Sequence, residues 1–136
     1  MNNKSLSHTK YNCLYHIVFI PKYRRKVMYG QLKHEVRDIL RKLCEYKNVE
    51  IVEGSVSSDH VHLCLKIPPK LSVSEFMGYL KGKSALQIFD LHPEFKRRGE
   101  DRHFWASGYF VDTVGNDEEV IIEYIRNQYK HEKEGK

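Results

Sequence analysis

Two spacings in this sequence could do chemistry on a phosphodiester. The first is His60-Val61-His62, inside the run Ser58-Asp59-His60-Val61-His62-Leu63-Cys64-Leu65. Successive side chains on a strand alternate between faces, so His60 and His62 share one face while Val61, Leu63 and Leu65 share the other. Two neutral imidazoles on one face can ligate one metal ion. The apolar row behind them can anchor the strand in a core and give the pair a rigid base. The second spacing is Tyr124 with Gln128, one turn apart on one stripe of a predicted C-terminal helix. Gln128 can add an amide oxygen to the ligand set. Two imidazoles and one oxygen with positions left open suit Mg²⁺ or Mn²⁺ holding a phosphate oxygen. A phenol of pKa ~10 attacks phosphorus usefully only where a base, a cation or a metal favours the phenolate. Singly, each spacing has a plain structural reading: surface histidines, a partly buried Tyr124, a surface Gln128. Together they describe a metal-assisted, tyrosine-dependent DNA nuclease.

The elements that must hold these residues read as β-α-β-β-α-β-α. A first strand, Tyr11 to Ile20, is rich in β-branched and aromatic residues and stops at Pro21. A helix from about Gln31 to Tyr46 repeats Leu32, Val36, Ile39, Leu40 and Leu43 at helical spacing. Strands over Val49 to Ser57 and His60 to Ile67 are joined by the tight Ser57-Ser58-Asp59 turn, with Asp59 closing it, and Pro68-Pro69 ends the hairpin. A second helix begins near Ser72, with Glu75 in capping-box spacing, and turns Val73, Phe76, Leu80, Leu86 and Phe89 inward. Gly78 and Gly82 weaken that helix and suggest close backbone approach. Leu91 to Ser107 reads as an irregular basic segment, followed by a short strand from Tyr109 to Val114. Gly115 then leads into the last helix, capped by Asn116 with Glu119, where Ile121, Ile122, Ile125 and Tyr129 form the packing stripe. Tyr129 is the rival nucleophile, but it lies on that stripe, ~100° from Gln128. His16, on the first strand, reads as a structural group or a support for the metal site. The arrangement is α+β and ferredoxin-like: an antiparallel sheet with helices on one face, plus the extra C-terminal helix carrying the tyrosine. Many unrelated functions use that fold.

At 136 residues the chain reads as one domain, 1–136, with a core from about 11 to 130 and a basic tail at 131–136. Hydrophobic residues at 40% and charged residues at 30% exclude a disordered chain. The longest apolar stretch, Tyr11 to Ile20, is about half of what a membrane span needs, and no secretory signal precedes it. Cys13, Cys44 and Cys64 lack zinc-site spacing and read as reduced core residues of a cytoplasmic protein. The net charge of +5 suggests a polyanionic partner. Basic residues cluster at Lys22-Tyr23-Arg24-Arg25-Lys26, at Lys81-Gly82-Lys83, and at Lys96-Arg97-Arg98 with Arg102. Tyr23, Tyr29, Tyr79, Phe104, Trp105 and Tyr109 interleave with this charge, a pattern that suits single-stranded nucleic acid, although some of these rings belong to the core. Lys22, Arg24, Arg25, Lys81 and Lys83 are the candidates for DNA-backbone contacts.

Three segments occur together and in order: Tyr15-His16-Ile17-Val18-Phe19-Ile20-Pro21-Lys22-Tyr23-Arg24-Arg25, then His60-Val61-His62, then Tyr124-x-x-x-Gln128. With them the chain resembles the single-tyrosine HUH transposases of the insertion sequence 200/605 family, from Tyr11 to about Lys130. The resemblance implies a homodimer that acts on single-stranded DNA and recognises hairpins near the element's ends. It implies that His60, His62 and Gln128 hold a divalent ion, Mg²⁺ or Mn²⁺. It implies that Tyr124 is the nucleophile, giving a 5′-phosphotyrosine and a free 3′-hydroxyl, which attacks a second phosphotyrosine to join strands. Family members can build each site from the histidines of one subunit and the tyrosine helix of the other. A replication-initiation or mobilisation nuclease would share the chemistry but needs further domains. A non-catalytic single-stranded DNA or RNA hairpin-binding module, or a domesticated relative, would bind in EDTA and not cleave.

Overall fold

The β-hairpin that presents the histidines lies inside a four-stranded antiparallel sheet. In the computed structural model, residues 4–6, 9–11, 13–97, 103–113 and 125–127 are described. The sheet consists of β3 (Leu14–Phe19), β4 (Glu50–Val56), β5 (Val61–Lys66) and β6 (Phe110–Thr113), in the order β4-β5-β3-β6. Helices α1 (Gly30–Tyr46) and α2 (Val73–Leu91) connect β3 to β4 and β5 to β6. Two β-α-β units that bring the first and third main strands side by side give the expected ferredoxin-like order.

Alternation along β3 and β5 sorts the two faces. Ile17, Phe19, Val61, Leu63 and Leu65 join one buried cluster with Leu32, Val36, Leu40 and Leu43 of α1 and Phe76, Met77 and Leu80 of α2. Both helices therefore cover a single face. Ser72 caps the start of α2 as expected: the Glu75 backbone N–H donates to Ser72 Oγ at 3.0 Å, and that hydroxyl donates to Glu75 Oε1 at 3.2 Å.

Several expected details differ. The first strand is broken: β2 (Thr9–Tyr11) pairs with β1 (Lys4–Leu6) in a separate ribbon, and the main sheet starts at Leu14. Its last pair is Leu14 with Lys66, beyond which Ile67 donates to the Cys13 carbonyl and Pro68-Pro69 follows. Proline has no N–H to extend a ladder. Leu86 points to solvent, 61% exposed. It lies six residues beyond Leu80, about 240° round the helix, and the inward stripe passes instead through Ser84 and Ile88. Nothing stands within 4 Å of a Cβ built on Gly78 or Gly82; the close approach is at Gly54, whose added Cβ would meet Leu63 Cδ2 at 2.9 Å. Cys44 and Cys64 are buried free thiols, with burial pushing Cys44 up to about 12, but Cys13 is only half-buried.

The segment expected to be irregular contains a short helix, α3 (Pro93–Arg97), and closes the core further on. Phe104, Trp105 and Ala106 are buried. Trp105 meets Phe19 and Phe104 edge to face at 4.7 and 4.8 Å, and its indole N–H donates to the fully buried Ser84 Oγ at 2.9 Å. Backbone bonds from Lys22 N to Phe104 O and from Ala106 N to Ile20 O, both 2.9 Å, tie this segment to the end of β3. Of the expected C-terminal helix, residues 125–127 are helical. Tyr124, Gln128, Tyr129 and the tail at 131–136 lie outside the described residues. No described helix is long and apolar enough to cross a membrane.

Candidate active site

The sheet face opposite the helices carries the polar residues. On β5 it presents His62, Cys64 and Lys66, on β3 it presents His16 and Val18, and Ile20 follows the end of that strand. The antiparallel register sets Val18 opposite His62, and His16 opposite both Cys64 and Asp112 of β6. Residues directly opposite share a face. From Val61 onward the expected alternation holds, with His62 on the face opposite the buried Val61 and Leu63. His60 precedes β5 in the hairpin turn, where its carbonyl accepts from Ser57 N at 2.8 Å.

The two histidines are held differently. His62 Nε2 lies 3.1 Å from His16 Nδ1, with ring centroids 5.3 Å apart. One of these nitrogens donates and the other accepts. His60 instead directs Nδ1 at Asp59 Oδ1, 2.9 Å away, and Asp59 Oδ2 accepts from Arg24 Nε, also at 2.9 Å. Burial works to raise the Asp59 pKa, but the His60 hydrogen bond and the Arg24 charge outweigh it and hold the carboxyl below its ordinary value. Asp59 thus does more than close the turn.

Arg24 reaches Asp59 from an unusual stretch of backbone. Tyr23 and Arg24 have φ of 62° and 52°, left-handed values at two consecutive side-chain-bearing residues. Such a conformation costs about 1–2 kcal/mol per residue. Arg24 N donates to Pro21 O at 2.8 Å, and Met28 N donates to Ser58 O at 3.1 Å, docking the far end of this loop on the hairpin turn.

The other expected DNA contacts lie in varied settings. Lys22 Nζ sits 5.6 Å from the centre of the Tyr23 ring, Arg25 Nε donates to Lys22 O at 3.3 Å, and Lys83 is exposed. Lys81 is engaged inside the fold: its ammonium donates to Ala106 O at 2.8 Å and Gly108 O at 2.6 Å, and burial pushes its pKa down to about 8. Of the aromatic residues, Tyr23 and Tyr29 are open to solvent, whereas Phe104 and Trp105 are core and Tyr79 donates to Leu43 O at 2.9 Å.

Ile125 connects the C-terminal segment to this face. It is 5% exposed and forms a small buried cluster with Val18, Ile20 and Ala106, with Phe110 packed at its edge. Sequence reading placed Ile125 on the packing stripe and missed that this residue packs beside the histidines.

The donor set suits a divalent ion. With Nδ1 of His60 turned to a carboxylate, its Nε2 lone pair is available, the usual arrangement of a metal-ligating histidine. Among the described residues no group of three or more His, Cys, Asp or Glu side chains could hold a metal ion.

Residues 9–128 match the sequence profile of the family described as Transposase IS200 like. The chain belongs to the IS200-like transposase family. This transposase is 52% identical over 134 residues to the transposase for insertion sequence element IS200 of Salmonella typhimurium strain LT2, across 98% of this chain and 88% of that one. A crystal structure of a candidate transposase from Deinococcus radiodurans R1 superposes with a TM-score of 0.83 at 31% identity, covering 93% of this chain and 97% of that one. A REP-associated tyrosine transposase bound to a REP hairpin has the same fold, with a TM-score of 0.54 at 16% identity over 93% of this chain and 74% of that one.

Proposed function

We propose that this transposase cleaves and rejoins single-stranded DNA at insertion-sequence ends by tyrosine transesterification. Tyr124 Oη attacks the phosphorus, the bond from phosphorus to the 3′-oxygen breaks, the phenolic proton leaves to solvent and the departing 3′-oxygen takes up a proton from solvent. The products are a 5′-phosphotyrosine and a 3′-hydroxyl on the released strand. Because the phosphodiester is exchanged and not hydrolysed, a second 3′-hydroxyl can reverse the reaction and join strands without ATP. His60, His62 and Gln128 would hold Mg²⁺ or Mn²⁺, which when bound supplies positive charge beside the scissile phosphate. Lys22, Arg25 and Lys83 steer the DNA backbone. Lys81 and Arg24 have partners within the fold and act chiefly by holding it. The protein works in the cytoplasm as a homodimer on DNA that carries hairpins, a reading favoured by the hairpin bound to the REP-associated relative of the same fold.

One observation carries this reading. Ile125, the neighbour of Tyr124 in the chain, is buried in one cluster with Val18, and Val18 is the residue opposite His62. Consecutive α-carbons are about 3.8 Å apart, so the position of Ile125 favours Tyr124 as the residue that acts at the histidine face. The test is cleavage of single-stranded DNA from the ends of the protein's own genetic locus, with Mg²⁺, with Mn²⁺ and with EDTA. Metal-dependent nicking that His60→Ala and His62→Ala each abolish supports the reading. Hairpin binding without nicking under every condition points to a binding module.

A further inference from the structure

We propose that Asp59 is the positioning residue of the metal site, and that the left-handed turn at Tyr23 and Arg24 serves to clamp it. The proposal rests on the reading of His60 as a ligand for a divalent cation. A carboxylate can only accept, so the 2.9 Å contact from His60 Nδ1 to Asp59 Oδ1 fixes the proton on Nδ1 and leaves the Nε2 lone pair for the ion. Asp59 could swing away if only one oxygen were held. Its second oxygen accepts from Arg24 Nε at 2.9 Å, and its side chain is 11% exposed, so the carboxylate is gripped at both ends.

The backbone supports this independently. Glycine or asparagine ordinarily fills left-handed positions, yet tyrosine and arginine occupy them here, at φ 62° and 52°. Strain of this kind persists where the surroundings over-determine it, and it concentrates at functional sites. Contacts that hold the loop include Lys22 N to Phe104 O, Arg24 N to Pro21 O, Arg25 Nε to Lys22 O, and Met28 N to Ser58 O. The last of these lands one residue before Asp59. The loop and the hairpin turn are thus one assembly, and Arg24 is its electrostatic bolt. The ring of His62 meets that of His16, which can donate or accept. The carboxylate chain orients His60.

The test has two arms. In the metal-free protein at about pH 8, above the ordinary histidine pKa of ~6.5, nitrogen-resolved NMR of the imidazoles reads the tautomer directly. His60 is expected as the Nδ1–H form in the wild type and as a mixture in Asp59→Ala. Calorimetric titration with Mn²⁺ alone should show about 10- to 100-fold weaker binding for Asp59→Ala. A smaller loss is expected for Asp59→Asn, whose amide oxygen still accepts from Nδ1–H, and for Arg24→Gln. An Nε2–H tautomer in the wild type overturns the proposal. So does wild-type Mn²⁺ affinity in Asp59→Ala when His60→Ala has lost binding. Mn²⁺ affinity unchanged in His60→Ala overturns the metal reading itself, and the proposal with it. If Asp59→Ala does not fold, Asp59→Asn and Arg24→Gln carry the titration, and the wild-type tautomer needs no variant.

Discussion

Ile125 is the residue through which packing should control chemistry. Replacing a buried isoleucine by alanine costs about 2–5 kcal/mol in a full core. Among the described residues the cluster has four buried members, Val18, Ile20, Ala106 and Ile125, and the low end, about 2 kcal/mol, is taken for a cluster of that size. The main core lies on the other face and does not include Ile125. The loss should therefore fall on docking of the C-terminal segment and leave global unfolding nearly unchanged. At about 1.4 kcal/mol per decade, 2 kcal/mol lowers the docked population by up to about thirtyfold. Single-turnover nicking of a single-stranded end substrate by Ile125→Ala should slow by about ten- to thirtyfold. Ile125→Val, losing about 1 kcal/mol, should slow it by no more than about fivefold. The assay is quenched-flow nicking under saturating protein, beside thermal melts of each variant. Nicking at the wild-type rate by both variants, with unchanged melting, would refute the coupling of this contact to the site.

Further outcomes follow from other contacts. Ser84→Ala leaves the buried Trp105 indole N–H without its acceptor, at about 1–3 kcal/mol, so melting should fall by about 3–10 °C. In a Trp105→Phe background the same change should matter much less, and equal losses in both backgrounds would count against the bond. Lys81→Gln should lower the melting temperature by about 3–5 °C by removing its ammonium from the Ala106 and Gly108 carbonyls. Lys83→Gln should leave melting unchanged and reduce the salt slope of single-stranded DNA binding by about 0.7; the reverse pattern would exchange their roles. His92 joins α1 to the end of α2 through Glu35 Oε1 at 2.6 Å, and that bond, with a second to Glu94, raises the His92 pKa while lowering that of Glu35. His92 stabilises fully below its ordinary value of 6.5, and this is lost as pH rises through its raised folded value. Glu35 contributes above 4.5 and loses its contribution as pH falls through its lowered folded value. The deficit of His92→Gln in urea denaturation should therefore be greatest between 4.5 and 6.5 and shrink at alkaline pH, and a pH-independent deficit would contradict this.

What could be read from the sequence was what periodicity and adjacency encode. Leu32, Val36, Ile39, Leu40 and Leu43 mark the buried side of α1, Ser72 and Glu75 mark the start of α2, and alternation from Val61 to Leu65 separates the face of His62 from the core face. The missed features depend on pairs distant in sequence. His16 meets His62 only because the register of β3 on β5 brings them together across 46 residues, and Arg24 meets Asp59 across 35. A lone histidine in the otherwise apolar β3 was the available sign. Left-handed φ at Tyr23 and Arg24 leaves no mark in residue type, since neither is glycine or asparagine. The Phe104-Trp105-Ala106 triplet was obscured by the charge around it, although three consecutive apolar residues inside a basic stretch already indicate burial.

The central claim is that Tyr124 becomes covalently joined to DNA. The most direct measurement is peptide mass spectrometry of the wild-type protein after incubation with single-stranded end DNA and Mg²⁺ or Mn²⁺, followed by nuclease trimming. The account predicts a 5′-linked nucleotide on Tyr124, metal-dependent and absent from Tyr124→Phe, which should still bind the hairpin. An adduct on Tyr129 or any other residue, or one that persists in Tyr124→Phe, would contradict it.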